Sequence, residues 1–205
     1  MSEIVKVENV TKYFKQEKVL DDVNMNLETG HIYGIVGKNG AGKTVLFKII
    51  AGFIKPSSGK VTVAGKIIGV DRDFPDSLGL IIETPGFLSQ YNAYQNLLYL
   101  ANINNKISKE DIKESIRMVG LDPDSNKKVG KFSLGMRQRL GIAQAIMENP
   151  NLIILDEPMN GLDKKGIEDV KELLLKLKGD GKTKFYARNK EFTCRNRRQG
   201  DIERH

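Results

Sequence analysis

Two kinds of apolar spacing alternate along this chain and divide it into stretches of different character. From Ile4 to Leu27, short alternations such as Ile4-Val5-Lys6-Val7 and Val23-Asn24-Met25-Asn26-Leu27 predict half-exposed strands at a sheet edge. Ile32-Tyr33-Gly34-Ile35-Val36 is a short apolar run that suits a strand buried on both faces. A glycine-rich turn follows, and then Val45, Leu46, Ile49 and Ile50 fall at helical spacing, closed by Gly52. Pro56-Ser57-Ser58-Gly59 predicts a turn, and Lys60 to Val63 a further edge strand.

The middle of the chain, from about Phe87 to Met147, has no convincing strand. Tyr94, Leu97, Leu98 and Ala101 mark one amphipathic helix. Ser108-Lys109-Glu110-Asp111 resembles a capping box opening a second, which carries Ile112, Ile116 and Val119 to Gly120. A third follows Ser133, with Leu140, Ala143, Ile146 and Met147 on one face. Strand character returns at Asn151-Leu152-Ile153-Ile154-Leu155, ending in Asp156-Glu157-Pro158, before a helix with Ile167, Val170, Leu173, Leu174 and Leu177. Buried strands alternating with helices predict an α/β fold with a parallel, mostly doubly wound sheet and a helical insertion.

Composition supports a folded chain and narrows its class. Of 205 residues, 40% are apolar and 20 are glycine, enough for a core of useful size. No apolar stretch approaches the roughly 18 residues needed to span a bilayer. The N-terminus, Met1-Ser2-Glu3-Ile4-Val5-Lys6, lacks the basic and apolar regions of a secretory signal. Cys194, the single cysteine, cannot form an internal disulfide and reads as an incidental thiol. The net charge of +7 is concentrated near the end: residues 178–205 hold nine basic and four acidic side chains. That basicity says little about what the folded body binds, and no nucleic-acid partner is expected.

Three motifs carry chemistry. Gly37-Lys38-Asn39-Gly40-Ala41-Gly42-Lys43-Thr44 fits G-x-x-x-x-G-K-[ST] and sits between a predicted strand and a predicted helix. Such glycines let successive N–H groups turn inward onto phosphate oxygens, and the helix that starts there adds its positive end. In this pattern Lys43 reaches the β- and γ-phosphates, and the Thr44 hydroxyl binds Mg²⁺. Asp156, at the carboxyl end of a buried strand, is placed to hold Mg²⁺, and Glu157 to polarise an attacking water. Phe132-Ser133-Leu134-Gly135-Met136-Arg137-Gln138-Arg139-Leu140 offers a second helix start able to receive an anion, although Ser133 caps its helix in either case.

In this order the three motifs resemble the ATP-binding cassette (ABC) ATPases over about residues 1–178. The family signature, usually L-S-G-G-Q, corresponds to Phe132-Ser133-Leu134-Gly135-Met136, and the aspartate loop to Asn160-Gly161-Leu162-Asp163. An adenine-stacking aromatic matches Tyr13, with Phe14 as the alternative. A junction glutamine of the family is replaced by Glu83, within Gly79-Leu80-Ile81-Ile82-Glu83-Thr84-Pro85. This, with the F-S-L-G-M signature, is similar to the ATPases that serve bacitracin- or lantibiotic-type export and immunity permeases.

The resemblance implies a P-loop NTPase core with a mainly parallel sheet and an antiparallel β subdomain, formed by residues 1–86 and 149–189. A helical signature subdomain would cover 87–148, and 190–205 would be an atypical basic tail. It implies ATP and Mg²⁺ as ligands and ATP hydrolysis coupled to transport. Glu157, Lys43 and Glu83 would be the catalytic residues, and Thr44, Asp156 and Glu83 would face the metal. Tyr13, the loop from Gly37 through Thr44 with Val45, Ser133, Gly135 and Asp163 would bind nucleotide. Two copies, or one copy and a homologue, would pair head to tail. The assembly would be cytoplasmic, at the inner face of the membrane, against a permease. A ribosome- or DNA-directed relative is disfavoured by the single phosphate loop and the lack of heptads.

The end departs from the family. Its γ-phosphate histidine has no counterpart in Lys182–Lys190, where Arg188 or Asn189 stands near the expected place. Lys184 and Arg188 also bracket a poor candidate for a central strand, and Glu191 to His205 shows no apolar period. Three readings stay open: an altered end of an ordinary cassette with impaired turnover, a working variant, or a basic arm for acidic lipid or nucleic acid.

Overall fold

The computed structural model describes residues 2–83, 85–179 and 183–188. Asn189, Cys194 and the basic segment 190–205 therefore lie outside the described residues.

Strands β1 (Glu3–Phe14) and β2 (Glu17–Glu28) form an antiparallel hairpin. β4 (Ser58–Val63) pairs with the other side of β1 and continues into the short β5 (Lys66–Ile67), giving the order β2-β1-β4-β5. Two expectations are corrected here. β1 and the Lys60–Val63 strand are interior to their sheet, because each is paired on both sides. Alternation reports that one face is buried and says nothing of a strand's place in the order. The inward positions of this sheet, among them Val5, Val7, Val10, Val61 and Val63, join one core with Leu46, Phe47, Ile49 and Ile50 of helix α1 (Lys43–Ile50).

The second sheet is parallel, in the order β3-β8-β7-β6, from β3 (Ile32–Val36), β6 (Leu78–Ile81), β7 (Leu152–Asp156) and β8 (Thr183–Arg188). β7 is buried throughout, as its apolar run predicts. β3 is not. It pairs only with β8 among the described residues, and its residues are half-buried or exposed, although Ile32 and Tyr33 touch opposite cores. The 183–188 segment is a central strand after all, hydrogen-bonded to both β3 and β7. Backbone pairing on two sides outweighs the flanking charges, and the buried Thr183 hydroxyl accepts the Gly30 N–H at 3.0 Å. β6 is short and was not announced by the pattern. Its Gly79 passes so close to helix α4 that a Cβ there would lie 1.8 Å from the Ala145 carbonyl oxygen.

Helices α2 (Ala93–Asn104), α3 (Lys109–Met118) and α4 (Leu134–Ile146) fill the middle of the chain as expected. The expected capping box of Ser108 with Asp111 is formed, and Asn92 with Gln95 forms another at the start of α2. Leu97, Ile112, Ile116, Leu140 and Ile142 build a second core, completed by Ile153 and Leu155 of β7 and by α5 (Lys164–Gly179) through Val170, Leu173, Leu174 and Leu177. Burial of each such side chain is worth roughly 1.5–3 kcal/mol, so the helical segment is held to the sheet by packing. Alternate residues of β7 serve the two cores, with Ile153 and Leu155 in one and Leu152 and Ile154 in the other.

Candidate functional site

The carboxyl ends of β3 and β7 open onto a cleft of about 590 Å³. Its lining includes residues Asn39 to Val45, the three carboxylates Glu83, Asp156 and Glu157, and Val19, Leu134, Gln138 and Asn160.

The loop after β3 turns into α1 at Gly42, whose φ of 82° is in the left-handed region. A Cβ there would meet Leu20 Cδ2 at 2.8 Å and the Val19 carbonyl oxygen at 2.9 Å, so glycine is required twice over. Gly42 caps the helix with no side-chain hydrogen bond, which leaves the first N–H groups of α1 without that partner. Lys43 is buried (8% exposed), and its ammonium donates to the carbonyls of Gly37 at 2.8 Å and Lys38 at 2.9 Å. The loop is thereby wrapped around the lysine.

Thr44 and Asp156 meet across the floor. The Thr44 hydroxyl donates to Asp156 Oδ2 at 2.5 Å, while Asp156 Oδ1 is buried with no hydrogen-bond partner among the described residues. Burial pushes the Asp156 carboxyl above its ordinary range, the neighbouring Glu157 and Glu83 add to this, and the Thr44 hydroxyl and Lys43 oppose it. An orphaned carboxylate oxygen beside a hydroxyl, facing a cleft, has the donor chemistry of a hard divalent cation that keeps most of its sphere for water and phosphate. No group of three or more His, Cys, Asp or Glu able to hold a metal occurs among the described residues.

Glu157 follows with φ of 49°, unusual for a residue with a side chain. Asn160 holds it twice: the amide side chain donates to Glu157 Oε2, and the Asn160 N–H donates to the Glu157 carbonyl at 3.1 Å. Gln138 reaches the same carbonyl from α4 at 3.5 Å. Glu83 also has a left-handed φ, of 62°, and its carboxylate pairs with Lys48 at 2.7 Å.

The remaining expected residues divide. Ser133 caps α4 by accepting the Met136 N–H at 3.2 Å, and Gly135 lies beside Gly161 and Leu162 of the aspartate loop. Asp163 caps the start of α5, its Oδ1 accepting the Gly166 N–H at 2.9 Å. Tyr13 stands apart from the cleft lining, 42% exposed at the end of β1, with Lys18 Nζ 5.7 Å from its ring centroid. Phe14 beside it is equally exposed. Sequence reasoning assigned nothing to Val19, Lys48, Gln138 or Asn160. Gln138 and Asn160 stood inside quoted motifs, and their reach toward Glu157 depends on how α4 and the 157–163 loop pack.

A phosphate loop between a strand and a helix, with an acidic pair at the end of a neighbouring parallel strand, defines a P-loop nucleotide-binding domain. Its particular kind follows from comparison. The ABC transporter family model matches residues 20–160. The chain is 46% identical over 180 residues to the uncharacterised ABC transporter ATP-binding protein YybJ of Bacillus subtilis, covering 88% of this chain and 83% of that one. It is 43% identical over 175 residues to the bacitracin transport ATP-binding protein BcrA of Bacillus licheniformis, covering 85% of this chain but only 57% of that protein. It is 37% identical over 180 residues to the lantibiotic transport ATP-binding protein SrtF of Streptococcus pyogenes, covering 88% and 77%. Among solved structures, a dimeric post-hydrolysis state of the cassette MJ0796 bound to ADP and Pi superposes with a TM-score of 0.80 at 28% identity, over 90% of this chain and 87% of that one. The chain belongs to the ABC transporter family, as an ATP-binding subunit related to those of bacitracin and lantibiotic transport.

Proposed function

We propose that this chain binds and hydrolyses Mg-ATP to power a membrane permease that exports an antimicrobial peptide or related drug. The observation that carries the first half is the cleft itself. A helix start without a side-chain cap, a lysine wrapped by its loop and a buried carboxylate oxygen without a hydrogen-bond partner among the described residues all converge there. The export half rests on likeness to BcrA and SrtF.

In this reading Lys43 releases the Gly37 and Lys38 carbonyls to take β- and γ-phosphate oxygens, and the N–H groups of residues 40–45 cradle the rest. Thr44 and Asp156 hold Mg²⁺, with Glu83 at the rim; the bound ion would neutralise phosphate charge. Glu157, held by Asn160, orients and deprotonates the attacking water. Tyr13 stacks on adenine. Ser133 and Gly135 contact the nucleotide of a second subunit paired head to tail, and Asp163 lies at that junction. Segment 87–148 acts as the signature subdomain that passes closure to the permease at the inner face of the membrane. No helix among the described residues is long and apolar enough to cross a membrane.

The test is Mg-ATP hydrolysis by the purified chain, with Glu157→Gln as background. Turnover above that background is expected. Intact nucleotide binding without turnover would replace this reading with that of a regulatory or impaired cassette.

A further inference from the structure

Three carboxylates share the cleft wall, and the buried ammonium of Lys43 is turned toward its own loop carbonyls. A triphosphate arriving there would face an excess of negative charge. The structure supplies one more cation. Lys48 lies four residues beyond Thr44 on α1, on the same face of the helix and one turn further along. Its Nζ is 2.7 Å from Glu83 Oε1. Both ends of this pair are constrained. The Lys48 carbonyl accepts the Phe53 N–H at 2.9 Å in the turn that ends α1, so the lysine is fixed to the helix that begins with Lys43 and Thr44. Glu83 sits just past the end of β6 with its backbone in the left-handed region, a conformation that persists in a non-glycine residue only where neighbours hold it.

Building on the reading of the cleft as a nucleotide site, we propose that Lys48 is a positioning residue for Mg-ATP. It ties the Glu83 carboxylate to the face of α1 and cancels its charge, so that an incoming magnesium triphosphate meets two carboxylates outside an ion pair among the described residues, Asp156 and Glu157, in place of three. Lys48 acts through Glu83 and not by touching the nucleotide. The pair also joins α1 to the segment that leads from β6 into the helical region, so the same contact links the phosphate loop to that junction.

The test is a double-mutant cycle on the affinity of the whole chain for a fluorescent, non-hydrolysable ATP analogue with Mg²⁺. Lys48→Met is expected to weaken binding about five-fold, the scale of one half-exposed charge near a polyphosphate, with a smaller loss at high salt. In the Glu83→Gln background the same substitution is expected to change affinity by less than about twofold, because the charge it balances is gone. Lys48→Arg, which keeps the cation, is expected to bind within about twofold of wild type. Equal weakening in both backgrounds, or none in either, overturns the proposal. Melting temperatures identify any variant that fails to fold, and Lys48→Gln takes the place of Lys48→Met in that event. Failure of the wild-type chain to bind the analogue would overturn the nucleotide reading and this inference together. Wild-type binding that ignores Lys48 would remove this inference alone.

Discussion

Helices α1 and α4 both begin at the cleft, and they treat their first N–H groups in opposite ways. α1 is capped by Gly42 with no side-chain cap hydrogen bond, and no acidic residue occupies its first turn. α4 is capped by Ser133, whose hydroxyl takes the Met136 N–H, so that one donor is already satisfied. The first arrangement leaves a partial positive charge directed at a site built within the chain, where Lys43, Thr44 and Asp156 surround it. The second is stable alone and exposes its start, with Leu134 among the exposed large apolar residues. In the reading proposed above, the helix end that awaits a ligand inside its own fold is left open, and the one that would meet a ligand only on assembly closes on itself in the meantime.

The sharpest way to break this contrast is at Lys43. Lys43→Ala is expected to weaken ATP binding at least about 100-fold by calorimetry, because a desolvated charge-assisted contact to phosphate is lost. If affinity survived, the open end of α1 would not be the phosphate site. Next comes Glu157→Gln, expected to lower turnover by about 10²–10⁴ while binding persists, the range for loss of a general base. Light scattering of that variant in saturating ATP is expected to show a dimer, and a monomer would separate α4 from any role in nucleotide binding. Gly42→Ala closes the gap that α1 leaves open. The strained φ and the contacts with Leu20 and Val19 are expected to cost about 1–3 kcal/mol in denaturant unfolding, without nucleotide present. The smallest effect belongs to Ser133→Ala, expected to cost about 1 kcal/mol as a lost cap while leaving ATP binding by the isolated subunit intact. A loss of that binding would mean that α4 serves its own chain's nucleotide.

Much of this site was legible in the sequence because it is local. The Gly37–Thr44 loop, Ser133 and the Asp156-Glu157 pair are each defined within a few residues, and the flanking apolar periods place them on a strand or a helix start. What the sequence left hidden depends on long-range packing. Nothing in the spacing of Lys48 and Glu83 announces a pair separated by 35 positions, and Asn160 and Gln138 meet Glu157 only because α4 and the 157–163 loop pack together. The order of strands was equally silent. Lys60–Val63 and 183–188 are interior because of what pairs beside them, whereas β3, an uncharged run that suits burial on both faces, lies half open. β6 escaped notice because four residues containing a glycine carry too short a period to read.

Strand β7 alternates its side chains between the two cores, and this has a consequence for how the molecule comes apart. Opening either core strips one face of a strand whose other face the second core still holds, which couples the two and favours their unfolding as one cooperative unit. The β7 amides should therefore be among the slowest to exchange with deuterated water, doing so only through global opening, while the exposed rims exchange through local fluctuations. Asp156 terminates that strand. A ligand seated on it is moored to the part of the protein that opens last, and its binding energy should add to the stability of the whole described fold.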